Sequence, residues 1–402
     1  MKPIQLAAAF ALLTLFDTFA PACAGPERVE RGPVALRDHD RALRDTREHD
    51  RAPRDLHALV ARVRERSGLP ALGAALVTSS GLEAVGVAGL RSAASSAPVT
   101  IDDRWHLGSC TKTITATLAA RLIERGALRW DTTIGSVFGS AIHPGWKDVT
   151  LEQLLCHRSG APLNFSEDAW ERMVARGGSL RAQRRFFVDE GLKSAPSTPP
   201  NTATVYSNSG YLVAGAMLEE RADAAWEELV RREVFEPLGL RHTGFGAPGT
   251  AGRLDQPFGH VRGADGWTPV EFGPNADNPA ATGPAGTVHA TLGDWARFVA
   301  AHLAGERGDA TFLAPATWKR LHTASGSDWG TTPGWMQAEA EWASGPALRH
   351  MGSNGFWIAE ATLAPGKDVA VLLVTNVSDD AVEAPFRELL ELFVAEHAAA
   401  AR

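Results

Sequence analysis

Runs with the composition of β-strands stand at both ends of this chain, and the long stretch between them reads as helix and loop. Near the start, ALGAALVTSS and LEAVGVAGL alternate and meet at Ser80-Gly81, a turn pair. Near the end, FWIAEATLAP and DVAVLLVTNV precede a closing helical run, PFRELLELFVAEH. A sheet assembled from the two termini is the arrangement that pairs these runs, so the predicted class is α+β, an antiparallel sheet flanked by helices with a mostly helical lobe beside it. Helix signals agree. DLHALVARVRER stops at Ser67-Gly68, and from Thr111 the residues Ile114, Leu118, Leu122 and Ile123 recur at helical spacing up to Gly126. At 402 residues the chain exceeds the usual ceiling for a single core, which fits one large two-lobed domain or two domains.

The first 54 residues have a different character. Lys2, the apolar segment Ile4 to Phe16 and the small residues Ala22-Cys23-Ala24 before Gly25 read as an export signal over residues 1–24, which points to a periplasmic or secreted protein. Ala20-Pro21-Ala22 is a poor match to a lipid-attachment signal, so an anchor at Cys23 is the lesser alternative. The signal's apolar run is too short to span a bilayer, and no later stretch approaches the ~20 apolar residues required. Residues 25–54 read as a charged tether: residues 26 to 55 hold eight Asp or Glu and eight Arg, too little apolar surface to offset the entropy of ordering. His39 and His49 in that stretch are flanked by acidic residues and read as solvated charge. The folded domain is expected over 55–402. A net charge of -7 leaves no basic face for nucleic acid. The expected partner is a small-molecule or peptide substrate.

The stretch LGSCTKTITATL carries the first chemistry. On a helix, positions i and i+3 share a face, so Ser109 in the first turn would set its hydroxyl beside the Lys112 amine. A serine hydroxyl is a weak nucleophile at neutral pH, and a lysine whose pKa is lowered by burial can activate it. The helix N-terminus adds free N–H groups where an oxyanion would develop. Alone, S-x-x-K also fits a helix cap next to a solvated lysine.

Two later motifs follow in order. Tyr206-Ser207-Asn208 comes after Pro199-Pro200 and before the helical run GYLVAGAMLEER, and His350-Met351-Gly352 opens the late strand pair. This set resembles the serine β-lactamase and penicillin-binding protein superfamily in its class C-like branch, whose second motif is Tyr-x-Asn. The flanks WHLGSCTKTITATLAARLIERGALRWDTTI, VTLEQLLCHRSGAPL, VFEPLGLRHTGFG, GPAGTVHATLGDWARF and HMGSNGFW carry the likeness across residues 55 to 400. The resemblance implies a β-lactamase-like (DD-peptidase) fold with the active site between sheet and helical lobe. It also implies a serine hydrolase working through an acyl-enzyme on a β-lactam, an ester or a D-amino-acid amide, with no cofactor and no metal. By that likeness Ser109 is the nucleophile, Lys112 its proton partner, Tyr206 a general base or acid and Asn208 an anchor for a substrate amide. His350, Gly352 and Ser353 would bind substrate, the Ser353 and Ser109 N–H groups forming the oxyanion hole. Gly352 reads as the place where a substrate backbone nears a strand edge.

Departures from the family pattern bear on substrate. His350 stands where many relatives carry lysine, and histidine is mostly neutral above pH 7, so weaker selection for an anionic carboxylate and more tolerance of esters or neutral amides is expected. Asn201 replaces a frequent glycine and Thr287 another, both conformational matters. Cys110 and Cys156 leave open a disulfide or two packed thiols. His157, Arg158 and Arg349 read as loop-structuring before cleft-lining, and Trp335 and Trp357 as core. A non-turnover penicillin-binding or envelope-sensing protein of the same fold, which binds an envelope peptide or is acylated once, is the alternative from another functional class.

Overall fold

A computed structural model describes residues 53–400 apart from 274 and 326–329. The signal segment and nearly all of the tether therefore lie outside the described residues. Arg54, read as the last tether residue, already belongs to the fold. Strand β1 (Arg54–Asp55) pairs in parallel with β3 (Gly81–Gly89), which is antiparallel to β2 (Ala71–Thr78). Three short strands follow at the middle of the chain: β4 (Arg104–His106), β5 (Gly244–Phe245) and, later, β8 (Val288–Thr291) form a small sheet in the order β4-β8-β5. Between β5 and β8, a hairpin joins β6 (Gly259–Gly263) to β7 (Gly266–Val270). The end of the chain supplies β9 (Met336–Ala338), β10 (Ala347–Ser353), β11 (Ile358–Ala364) and β12 (Val369–Thr375). The main sheet runs β1-β3-β2-β12-β11-β10-β9, so the first and last strands meet at its centre through β2 and β12.

That join explains the composition of the late strands. In β12, Ala370, Leu372 and Val374 pack into a core shared with the helices of the middle region, while Val369, Val371 and Leu373 pack against the first helix (His57–Ser67) and the last (Glu383–Ala400). A sheet covered on both faces reads as an unbroken apolar run rather than an alternation. The front core is continuous with the helical region, where Ile114, Leu118, Leu154, Leu212 and Phe298 belong to the same cluster. The lobe is thus packed onto the sheet through one shared core. The middle region is also less purely helical than its sequence suggests. The small sheet and the hairpin were invisible because strands of two to five residues are too short to establish a period.

The sheet edge positions the site. Along β10, Leu348 faces the front core whereas Ala347 belongs to the rear cluster, so His350 and Gly352 share Leu348's face. A Cβ at Gly352 would lie 2.1 Å from the Leu107 carbonyl oxygen and 2.5 Å from the amide nitrogens of Ser109 and Cys110. The glycine is therefore required by the protein's own turn at Leu107–Cys110, a nearer constraint than the substrate approach its sequence context suggested. Gly352→Ala is expected to cost about 1–3 kcal/mol of stability by overpacking against backbone that has no rotamer to yield. Gly273→Ala, where nothing lies within 4 Å of the added carbon, should stay within about 0.5 kcal/mol. Paired denaturant titrations check this, and equal effects of the two substitutions would remove the constraint.

Candidate active site

Ser109 sits in a 3-10 turn, Gly108–Cys110, that leads into the helix Thr111–Glu124. The capping position of that helix falls on Cys110 and no side chain caps it, so the Ser109 hydroxyl is not consumed as a cap. Lys112, one turn on, is fully buried, and its Nζ donates to Ser109 Oγ (3.0 Å), to Asn208 Oδ1 (2.8 Å) and to the Ala285 carbonyl (2.7 Å). Burial lowers its pKa to about 7. Ala285 belongs to the turn Gly283–Gly286 of the GPAGTV stretch, and Thr115 Oγ1 donates to the neighbouring Pro284 carbonyl (2.7 Å). Arg184, itself buried and paired with Glu219 and Glu227, donates to the Ala281 carbonyl just upstream (2.9 Å).

The second motif comes from the loop before the helix Asn208–Ala222. The Tyr206 phenol faces the Ser109 hydroxyl, and its ring lies 4.9 Å from Lys112 Nζ. Burial raises its pKa, so Tyr206 stays a phenol across the neutral range. Ser207, between the two motif residues, is a cap: its Oγ accepts from the Gly210 amide (2.8 Å). Asn208 is turned to Lys112 by its oxygen, while its Nδ2 donates to Asn164 Oδ1 (3.1 Å). As the structure stands, Asn208 holds the lysine, and the amide it would offer a substrate faces Asn164. The other tyrosine, Tyr211, is buried and donates to the Leu155 carbonyl (2.6 Å).

His157 and Arg158 build the loop that carries Tyr206. The His157 carbonyl accepts from the Val205 amide (2.8 Å), and its Nδ1 accepts from the Ser207 amide (3.0 Å), so one residue grips both sides of the tyrosine. Its ring packs 4.4 Å from that of Tyr206, and burial, with Lys112 and His350 nearby, holds it neutral. Arg158 Nε donates to Asn201 Oδ1 (3.1 Å) and its Nη2 to the Asn201 carbonyl (3.0 Å). Asn201 has φ 63°, a left-handed conformation in which glycine or asparagine is at home, which accounts for the substitution at that position. Thr287 has φ -121° and needs no such freedom.

On the sheet side, His350 is buried with Nδ1 against the Met351 carbonyl (2.8 Å), and burial lowers its pKa to about 3. Arg349 points to the other face, where its guanidinium makes two bonds to Glu360 (2.9 and 2.8 Å) and leaves the cleft without that charge. Ser353 Oγ is bonded to Ser378 Oγ (2.8 Å) and accepts from the Gly355 amide (2.9 Å), so its side chain shapes the turn. Gly108, at φ 50°, has its Cβ direction 2.3 Å from the Ser353 nitrogen, which sets the backbone of the Ser109 turn against that of Ser353. Cys110 and Cys156 are free and buried, which decides between the two readings in favour of packed thiols. Trp335 and Trp357 are core residues at 2% and 0% exposure. Among the described residues no group of three or more His, Cys, Asp or Glu is arranged to hold a metal ion.

A family model described as Beta-lactamase matches residues 56–396. The chain belongs to the Beta-lactamase family. It is 31% identical over 324 residues to penicillin-binding protein 4 of Amycolatopsis lactamdurans, covering 75% of this chain and 80% of that one. It is 28% identical over 227 residues to an unguisins hydrolase of Aspergillus violaceofuscus, covering 52% of this chain but only 38% of the relative, so the chain spans well under half of that protein. A D-stereospecific amidohydrolase of a Streptomyces species has the same fold, with a TM-score of 0.63 at 21% identity over 82% of this chain and 98% of the other. The protein is a serine hydrolase of the β-lactamase family.

The groups that the sequence left unassigned in this β-lactamase-family hydrolase are the Ala285 carbonyl and Asn164, which contribute to the site by position alone, so no residue-type pattern could single them out. His157, read as loop-structuring, does hold the Tyr206 loop and adds its ring against the phenol. The protonation states give a pH expectation. A lysine whose folded pKa is about 7 is protonated below that value and neutral above it. If its neutral form accepts the Ser109 proton, kcat/KM for acylation rises tenfold per unit below pH 7 and levels above it. A flat profile between pH 5.5 and 8.5 would contradict this.

Proposed function

We propose that the protein is an exported hydrolase that acylates Ser109 with neutral esters or amides and releases the acyl group to water. The observation that carries the mechanism is the set of partners around Lys112. An ammonium has three N–H donors, and all three are used; two of the acceptors, the Asn208 amide oxygen and the Ala285 carbonyl, can never donate. When Lys112 loses a proton, its two remaining N–H groups keep those two acceptors, and the lone pair turns to Ser109. The Ser109 oxygen then attacks the substrate carbonyl as its proton passes to Lys112, and the oxyanion rests on the Ser109 and Ser353 N–H groups. Collapse expels the leaving group, which takes the Tyr206 proton; Lys112 returns its own to the phenolate. Water attacks the acyl-enzyme by the same transfers in reverse, restoring Ser109.

The substrate reading rests on charge. His350 is neutral at physiological pH, His157 is neutral and Arg349 faces away, so a substrate carboxylate would find no permanent cation among them. Relatives named as a penicillin-binding protein, a hydrolase of unguisins and an esterase of lovastatin support keeping both penicillin binding and ester hydrolysis within the family's range. The export reading rests on the Lys2, Ile4–Phe16 and Ala22–Ala24 pattern. Recovery of chain outside the cytoplasm with Gly25 first supports it, and retention of Met1 there counts against it.

The test follows the intact mass of the protein with time against benzylpenicillin and p-nitrophenyl butyrate in parallel, with Ser109→Ala alongside. Turnover of the ester at least tenfold faster than of the penicillin is expected, with Ser109→Ala lower by ~10³-fold or more. His350→Lys should move the ratio toward the penicillin. A stable adduct with no turnover of either compound would favour an acylated sensor, and an unmoved ratio in His350→Lys would remove the charge argument.

A further inference from the structure

Behind the nucleophile turn lies a buried pair that the mechanism above leaves unused. The Gly108 amide donates to His106 Nδ1 (3.0 Å). An N–H needs an acceptor, so Nδ1 carries the lone pair and the ring proton sits on Nε2, which faces Asp277 Oδ2 at 2.9 Å. His106 is fully buried and the Asp277 side chain is 9% exposed. The other carboxylate oxygen, Oδ1, accepts from Asn354 Nδ2 (3.0 Å) and from the Asn278 amide (2.7 Å). Asn354 Oδ1 in turn accepts from the Phe356 and Trp357 amides (3.2 and 3.3 Å), and the His106 ring stacks on Trp357. One carboxylate therefore ties together the residue before Ser109 and the residue after Ser353.

We infer that His106 and Asp277 are positioning residues that hold the two halves of the oxyanion hole in register, through the Nε2–H tautomer of His106. The inference rests on the proposed use of the Ser109 and Ser353 N–H groups. The carboxylate fixes the tautomer because it can only accept. An amide at position 277 can present its own N–H to Nε2, which moves the ring proton to Nδ1, where it meets the Gly108 N–H head-on. The turn must then shift, and Gly108 has little room, since its Cβ direction already abuts the Ser353 nitrogen. Loss of one oxyanion donor costs about 10²–10³-fold in other hydrolases, so a displaced hole should lose about ten- to a hundredfold.

The experiment measures the labelling of Ser109 by a fluorophosphonate, followed by intact mass, on the full chain and on Asp277→Asn, His106→Leu and His106→Asn. Labelling needs the nucleophile and the oxyanion hole but no deacylation. The maximal labelling rate of Asp277→Asn and His106→Leu is expected to fall ten- to a hundredfold at unchanged half-saturating probe concentration. His106→Asn, whose side-chain oxygen gives the Gly108 amide an acceptor, should stay within about fivefold. Histidine ¹⁵N shifts should show the His106 proton on Nε2 in the unsubstituted protein and on Nδ1 in Asp277→Asn. Equal maximal rates in all four proteins, or an unchanged tautomer in Asp277→Asn, would overturn the positioning role. Failure of the unsubstituted protein to label at Ser109 would instead remove the acyl-enzyme reading, and this inference with it. Should Asp277→Asn fail to fold, the contrast between His106→Leu and His106→Asn decides: equal losses in both would overturn the role.

Discussion

The site depends on one amine buried without a counter-ion. Lys112 Nζ meets a hydroxyl, an amide oxygen and a carbonyl, none of them anionic, so the charged form gains hydrogen bonds but no opposite charge. Desolvation then dominates and brings its pKa down to about 7. A carboxylate in place of Asn208 would reverse this, holding the lysine as a permanent cation unable to accept a proton. The imidazoles of His157 and His350 are held neutral by burial with Lys112 nearby and so bring no charge to the pocket, and burial likewise keeps Tyr206 a phenol beside the lysine.

Burying that amine takes the whole fold. The helix that carries Lys112 is covered on one side by the Gly283–Gly286 turn and the helix Asn208–Ala222, and the 3-10 turn before it, which carries Ser109, is pressed against β10 through Gly352. The sheet edge can come so close because β10 is anchored behind by the Arg349–Glu360 pair and in front by the Cys110 thiol against the His350 carbonyl (3.3 Å). The motif residues thus come from three separate elements. They converge only because strands from both chain ends pair at β2 and β12, which fixes β10 relative to the helical region.

Much of this was legible in the sequence, for identifiable reasons. The strand runs could be read because both faces of the sheet are covered, and the Ser109 helix because its apolar residues keep the 3.6 period. The i, i+3 relation of Ser109 and Lys112 follows from that period alone, and the glycine-like conformation of Asn201 follows from the residue type it replaces. What escaped depends on long-range partners. In β10, ALRHMGS hides its strand character because Arg349 is neutralised by Glu360 eleven residues on and His350 by burial. The use of the Ala285 carbonyl by Lys112 rests on backbone, which no side-chain pattern reports. The Cys110–Cys156 question lay open because pairing needs a distance, and only the fold supplies one.

The protonation of Lys112, on which activation of Ser109 depends, can be read directly. The chain contains six lysines, so ¹³Cε and ¹⁵Nζ resonances of lysine-labelled protein can be followed with pH and the signal of Lys112 assigned by its absence in Lys112→Arg. Lys112 is expected to titrate near pH 7, well below the ordinary lysine value near 10.4. If Lys112 titrates at that ordinary value instead, burial has not displaced its proton, and a neutral lysine cannot be the base that activates Ser109.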